Sequence, residues 1–211
     1  MNIFNKKEKI DKSGWDYITE ECERIYPNQK DPKHYGTLVS WNLGGNDPLE
    51  GISIYDGGTY WHFVTYGLSE LFEKESDNKD ISGYGMEFTL KLKKDKYEDL
   101  EAEIKCICVI LQGIARETFT KGEIFRAYEY LYTGQKTGID FKMKSNITGF
   151  ITIPDTSFQT ISTPNGKVDF VEFIGVTDSE LKAILNKEST VRDLYSKLGS
   201  DLTNYNRDSV I

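Results

Sequence analysis

Histidine, cysteine and proline are scarce in this chain: its 211 residues include 2 His, 3 Cys and 5 Pro. With only His34 and His62 available, a serine or cysteine nucleophile has few possible bases, which narrows the room for triad chemistry. Cys22, Cys106 and Cys108 are odd in number and no secretory leader stands ahead of them, so no disulfide framework is expected. Cys106 and Cys108 stand two apart on a helix-like segment, where i and i+2 point to different sides and cannot clamp one ion. Buried thiols are the expectation, with no metal and no cofactor. A Walker loop is missing, and Gly83-Tyr84-Gly85 lacks the third glycine and the helix of a dinucleotide fingerprint. No His-x-Glu or Cys-x-x-Cys pattern offers a deaminase-type zinc site. Positive charge is also short: the net charge is -8 and the pI about 4.9, which opposes direct binding to nucleic-acid phosphates and favours a basic protein partner. No run approaches the roughly 18 apolar residues of a membrane span, and none follows Met1, so the cytoplasm is the expected location.

What the chain does have is aromatic bulk. The hydrophobic fraction is 38%, but 13 Tyr, 11 Phe and 3 Trp supply volume where aliphatic residues are few, so an aromatic-rich core is expected. After a lysine-rich start, Ser13 is placed to cap a helix in which Trp15, Ile18, Cys22 and Ile25 recur at helical spacing until Pro27. Val39, Trp41 and Leu43 alternate with Ser40 and Asn42, which predicts a strand over 36–43 with one face buried, ended by the turn sequence at 44–48. Residues 52–55 and 59–66 flank Asp56-Gly57-Gly58 and should form a hairpin, its second strand buried on both faces. A strand over 86–92 reads as one-sided, with Met86, Phe88, Leu90 and Leu92 inward and Glu87, Thr89 and Lys91 outward. The clearest helix spans about 97–118, with Leu100, Ile104, Ile107, Leu111 and Ile114 on one stripe. The stretch 122–138 is ambiguous and partly irregular. A strand over 147–153, a second hairpin joined by the turn at 163–166, a capping box from Thr177 to Glu180, and a short helix stopped by Gly199 complete the pattern. The tail from 201 carries little local signal. No repeat or long linker interrupts the chain. The economical reading is a single α+β domain: a mixed, mostly antiparallel sheet with one long packing helix and flanking helices.

Two places invite a functional reading. His62 lies inside an aromatic strand beside Tyr60, Val64 and Tyr66, where a buried hydrogen-bonded imidazole is the plainer account and a general base paired with a carboxylate is the rival. His34, just ahead of a strand, should be exposed. The segment 66–80 sets Glu70, Glu73, Glu75, Asp77 and Asp80 against Lys74 and Lys79, a local charge of 2 minus 5, or -3. It is expected to be an exposed acidic connection, and Phe72 within it gives an aromatic anchor inside a charged rim, the composition of a binding hot spot.

The run 51–92 is similar to a diagnostic block of the suppressor-of-fused (SUFU) family. It carries Trp61-His62-Phe63, then Gly67 to Leu71, an acidic loop, Ser82-Gly83-Tyr84-Gly85, and Glu87 with Thr89. A second block, 161–181, resembles the family's Thr-Pro-x-Gly turn, apolar strand and Gly-Val-Thr helix entry. The resemblance implies a lead-in with its helix over 1–34, a SUFU-like domain over 35–198 and a tail over 199–211. It also implies a protein-binding domain without catalysis. Animal members sequester a zinc-finger transcription factor by β-strand addition, but this sequence does not run on into their additional C-terminal domain, so that role is not expected. Stand-alone bacterial members resemble immunity proteins. The resemblance therefore implies an antitoxin that neutralises a cognate basic toxin, such as a nuclease, by direct binding, and acidity suits that task. The contact region would be Glu70, Phe72, Glu73, Glu75, Asp77 and Asp80. Two rivals stand beside this reading: an adaptor that binds an extended peptide of an endogenous protein, and a hydrolase using His62.

Overall fold

The computed structural model describes residues 11–211. The first ten residues of the expected lead-in lie outside the described residues. In chain order the elements are α1 (Ser13–Ile25), β1 (Lys33–Gly36), a single 3-10 turn at Trp41–Leu43, β2 (Gly51–Asp56), β3 (Tyr60–Tyr66), β4 (Ile81–Lys93), α2 (Leu100–Lys121), β5 (Tyr130–Leu131), β6 (Ile147–Pro154), β7 (Ile161–Thr163), β8 (Gly166–Thr177), α3 (Asp178–Leu185) and α4 (Val191–Leu198). The strands form one mixed sheet of eight in the order β1-β2-β3-β4-β8-β6-β5, with β7 also paired to β8. Among the named strands of the described residues, the central β4–β8 pair is parallel and the other pairs are antiparallel. This is the α+β class expected from the sequence.

Local chemistry explains most of the elements. The β2–β3 hairpin closes where Gly58 sits at φ +82 and its N–H donates to the Asp56 carboxylate at 2.8 Å. Asp99 caps α2 through the Ala102 N–H, and Gly122 ends it in the left-handed conformation. The Thr177–Glu180 capping box starts α3, and Gly199 stops α4. α1 differs from expectation: Ser13 is its first helical residue, not its cap, and its N–H donates to the Asp11 carboxylate.

The α2 stripe of Ile104, Ile107, Leu111, Ile114 and Ala115 packs on Ile52, Ile54, Phe63, Phe88 and Phe173, which makes the main core aromatic as the composition implies. The opposite side of the sheet carries two smaller apolar clusters. One joins α1 to Tyr55, Val64, Tyr66 and Phe170, and the other joins α3 and α4 to Ile151, Ile153, Ile174 and Val176. Cys22 and Cys108 are buried; Cys106 is half-buried and donates to the Ile139 carbonyl. Among the described residues no helix is long and apolar enough to cross a membrane.

Two expectations are corrected. The strand foreseen over 36–43 is instead β1, ending at Gly36, followed by a closed loop. The N–H groups of Leu43 and Gly45 both donate to the Ser40 carbonyl, at 2.9 and 3.0 Å, and a side chain on Gly45 would meet the Val39 oxygen at 1.9 Å. Gly44-Gly45 therefore overrides the alternating pattern, and Leu38, Val39 and Leu43 are exposed. Nor is β4 one-sided: Glu87, Thr89 and Lys91 are as buried as Phe88 and Leu90. The tail joins the sheet too. Thr203 accepts from Lys93 N–H and donates its own N–H to the Lys91 carbonyl, and Arg207 forks onto Glu180.

Candidate functional site

The connection from β3 to β4 is built around a carboxylate. Glu87 is fully buried; its Oε1 accepts from Gly67 N–H (3.0 Å), Ser69 N–H (2.9 Å) and the Ser69 hydroxyl (2.7 Å), and its Oε2 from the Thr65 hydroxyl (2.6 Å). Burial is the largest influence on this carboxyl and pushes it up to about 6 despite those donors. The effect on the backbone is to pin the 67–69 segment over the sheet.

A bulge in β4 grips the same segment from the other side. Ile81 pairs with Lys167 and Met86 with Asp169, so β4 spends four residues, 82–85, where β8 spends one. The extra chain reaches out to the loop: Tyr84 N–H donates to the Leu68 carbonyl, Gly83 N–H to the Glu70 carboxylate, and the Ser82 hydroxyl accepts from Glu70 N–H. Gly83 sits at φ +54, and a Cβ there would stand 2.8 Å from the Leu68 oxygen, so the bulge needs glycine at this point. Asn165 in the β7–β8 turn donates to the Glu70 and Phe72 carbonyls, and Trp15 N–H at the start of α1 donates to the Leu71 carbonyl. Residues far apart in sequence thus hold one loop in place.

The acidic residues of this loop divide. Glu70 turns inward: one carboxylate oxygen accepts from the Glu75 and Ser76 N–H groups, the other from Lys74 Nζ and Gly83 N–H. Burial opposes its ionisation, but Lys74 and those amides outweigh it and hold the carboxyl down at about 2. Phe72, Glu73, Glu75, Asp77 and Asp80 are exposed. A cleft of about 370 Å³ runs between the loop, Asn42, Glu50 and Phe119, and Glu70, Phe72, Glu73 and Glu75 line it. Asp77 and Asp80 do not. The lining holds four glutamates and no lysine or arginine. Sequence reasoning missed Glu50, Tyr84 and Phe119, which reach the cleft from other elements and carry no local signal of it. Tyr84 and Trp41 each meet Phe119 edge to face, at 5.1 and 5.8 Å.

His62 is elsewhere. Its imidazole is fully buried, with Nε2 3.0 Å from Asp155 Oδ2 and Nδ1 2.7 Å from the Tyr26 hydroxyl. A carboxylate only accepts, so Nε2 carries the proton and Nδ1 accepts from Tyr26. Burial lowers the imidazole's pKa, against the pull of Asp155. Thr89 donates to the same carboxylate at 2.6 Å, and Lys91 beside it meets Glu172 at 3.1 Å and Asp201 at 2.7 Å. Both ring nitrogens are occupied by structural partners, so the expected buried polar network is present. His34 is exposed and bonds Ser53. Among the described residues, no group of three His, Cys, Asp or Glu is placed to hold a metal ion.

The sequence matches the family described as Suppressor of fused protein (SUFU) over residues 45–208. It is 30% identical over 184 residues to the Suppressor of fused homologs of Homo sapiens and Mus musculus, covering 80% of this chain and 36% of each of them. The chain therefore spans about a third of the length of those relatives. Among solved structures, a chain of the Sufu-Fu complex crystal structure superposes with a TM-score of 0.81 at 27% identity, covering 95% of this chain and 93% of that one. Drosophila Suppressor of Fused superposes with a TM-score of 0.80 at 27% identity, covering 95% and 52%.

Proposed function

The chain belongs to the suppressor-of-fused family, and from that premise we propose that it is a protein-binding domain that takes a basic partner polypeptide at the acidic cleft, without catalysis of its own. The observation that carries this reading is the rigid loop 67–76. Its backbone is fixed from β4, α1 and the β7–β8 turn, while Phe72, Glu73 and Glu75 face solvent. An aromatic anchor on a preorganised loop loses little entropy on binding, and carboxylates around it that make no ion pair among the described residues steer a cationic partner. Asp77 and Asp80, beyond the cleft, extend the same negative field. The finer reading is an antitoxin, or immunity protein, working in the cytoplasm: one-to-one binding of a basic toxin such as a nuclease would cover the surface that toxin uses for phosphates.

Co-expression with a toxin encoded beside this protein tests it. Protection of the host together with a stable one-to-one complex is expected, and neither appearing would reject the antitoxin reading. The adaptor reading has its own support, because a structural relative occurs in a Sufu-Fu complex. A stable partner recovered from the native host that is not a toxin would favour it. Against the hydrolase stands the enclosure of His62, and a folded His62→Ala variant that still protects would remove that reading's base.

A further inference from the structure

The loop 37–45 carries apolar side chains that the fold leaves in water. Leu38 is fully exposed, Leu43 is 80% exposed and Val39 51%. Their placement is ordered: Leu43 and Gly45 N–H groups close onto the Ser40 carbonyl, Gly44 N–H onto the Trp41 carbonyl, and Thr37 N–H onto the Glu50 carbonyl. The Ser40 hydroxyl also bonds the Glu50 carboxylate. Aliphatic side chains held outward on a closed loop cannot collapse onto their own domain, so their burial requires something that comes from outside.

This loop borders the acidic cleft through Asn42. Asn42 lines it beside Glu50 and Phe119, and Trp41 packs edge to face on Phe119. Phe72, Glu73 and Glu75 line the same cleft, and neither of those two carboxylates makes an ion pair among the described residues. Leu38, Val39 and Leu43 do not line the cleft themselves, but the exposed apolar loop that carries them adjoins, through Asn42, a cleft lined by Phe72 and by carboxylates without an ion pair among the described residues. From this juxtaposition, and resting on the partner-binding reading above, we infer that the 37–45 loop and the 72–75 rim form one two-part docking surface for an amphipathic basic segment of a partner protein. The segment's leucine-like side chains would cover Leu38, Val39 and Leu43, and its lysines or arginines would meet Glu73 and Glu75. A purely basic segment would leave the apolar loop wet; a purely apolar one would desolvate the carboxylates without compensation.

The test uses the whole chain and a synthetic amphipathic peptide with leucines along one side and lysines along the other. Two control peptides replace either the leucines with serine or the lysines with glutamate. Fluorescence anisotropy should show the amphipathic peptide binding at least about tenfold more tightly than either control, since covering even part of two leucine side chains is worth that much. Leu38→Ser combined with Leu43→Ser should weaken the amphipathic peptide to a similar degree, leave the serine control unchanged, and not move the unfolding midpoint. If Glu73→Lys with Glu75→Lys weakens binding while the leucine pair does not, the acidic site stands and the role of the apolar loop is overturned. If no peptide distinguishes any variant, the cleft reading falls with it. A concentration-dependent dimer that the leucine pair abolishes would give this face to a second copy of the chain, and so overturn the proposal.

Discussion

Replacing Glu87 with alanine tests whether one buried carboxylate holds the binding loop in place. Four donors converge on it: the N–H groups of Gly67 and Ser69 and the hydroxyls of Ser69 and Thr65. Thr65 cannot readily turn elsewhere, because its oxygen also accepts from Phe88 N–H at 2.8 Å. Alanine strands all four, three of them buried and the Gly67 N–H half-buried at the edge of the cleft. At about 1 kcal/mol for each buried donor left without a partner, the loss is about 3 kcal/mol, a large part of the stability of an ordinary domain. Glutamine is the control. Its carbonyl keeps the three donors on Oε1 and only the Thr65 hydroxyl loses its acceptor, so Glu87→Gln should cost no more than about 1 kcal/mol. The charge gives a second readout. Burial raises this carboxyl from 4.5 to about 6, so its contribution is full below 4.5 and is lost as pH rises through about 6. That is roughly 2 kcal/mol, which Glu87→Gln does not lose. Urea unfolding followed by tryptophan fluorescence, repeated on either side of that window, measures both. Alanine costing less than about 1 kcal/mol, or glutamine as damaging as alanine, would refute the reasoning.

Three further outcomes are expected. Arg207 donates to both oxygens of the fully buried Glu180, each at 2.6 Å, so Arg207→Ala should cost on the order of 3 kcal/mol in urea unfolding by leaving a buried charge short of its partner; an unchanged midpoint would mean that the tail does not hold the sheet. His62 is held below its ordinary 6.5, so its contribution is full above that value and is lost as pH falls below it. Because Glu87 acts in the opposite sense between 4.5 and about 6, the comparison must be with His62→Gln, whose stability should fall less on acidification; equal acid slopes would contradict the buried neutral imidazole. Lysine at Glu73, Glu75 and Asp77 together should slow association with a basic partner by about tenfold at low salt and reverse the salt dependence in stopped-flow binding, and unchanged rates would clear these residues of a steering role.

Wherever local chemistry decides, the sequence is sufficient. The Asp56-Gly57-Gly58 turn, the Thr177–Glu180 capping box, the Gly199 stop and the apolar stripe of α2 act over a few residues, and each appears where its pattern puts it. The exposed part of the acidic loop was legible for the same reason: Glu73 and Glu75 are charged side chains in a polar stretch, and they face solvent. Glu70 looks the same in sequence, yet the bulge at 82–85 supplies the donors that turn it into the loop's own brace. β4 shows the limit most clearly. Glu87, Thr89 and Lys91 alternate as a wet face would, because alternation records only which side of a strand a residue faces. What covers that side arrives from elsewhere: Asp155 lies 66 residues from Thr89, and Asp201 lies 110 from Lys91. Likewise, the alternation of Val39, Trp41 and Leu43 predicts a buried face, but Gly44-Gly45 turns the chain before a neighbouring strand can cover it. Periodicity along the chain is fixed by the residues themselves. Burial depends on which distant segments come to lie against them, and that only the assembled tertiary structure decides.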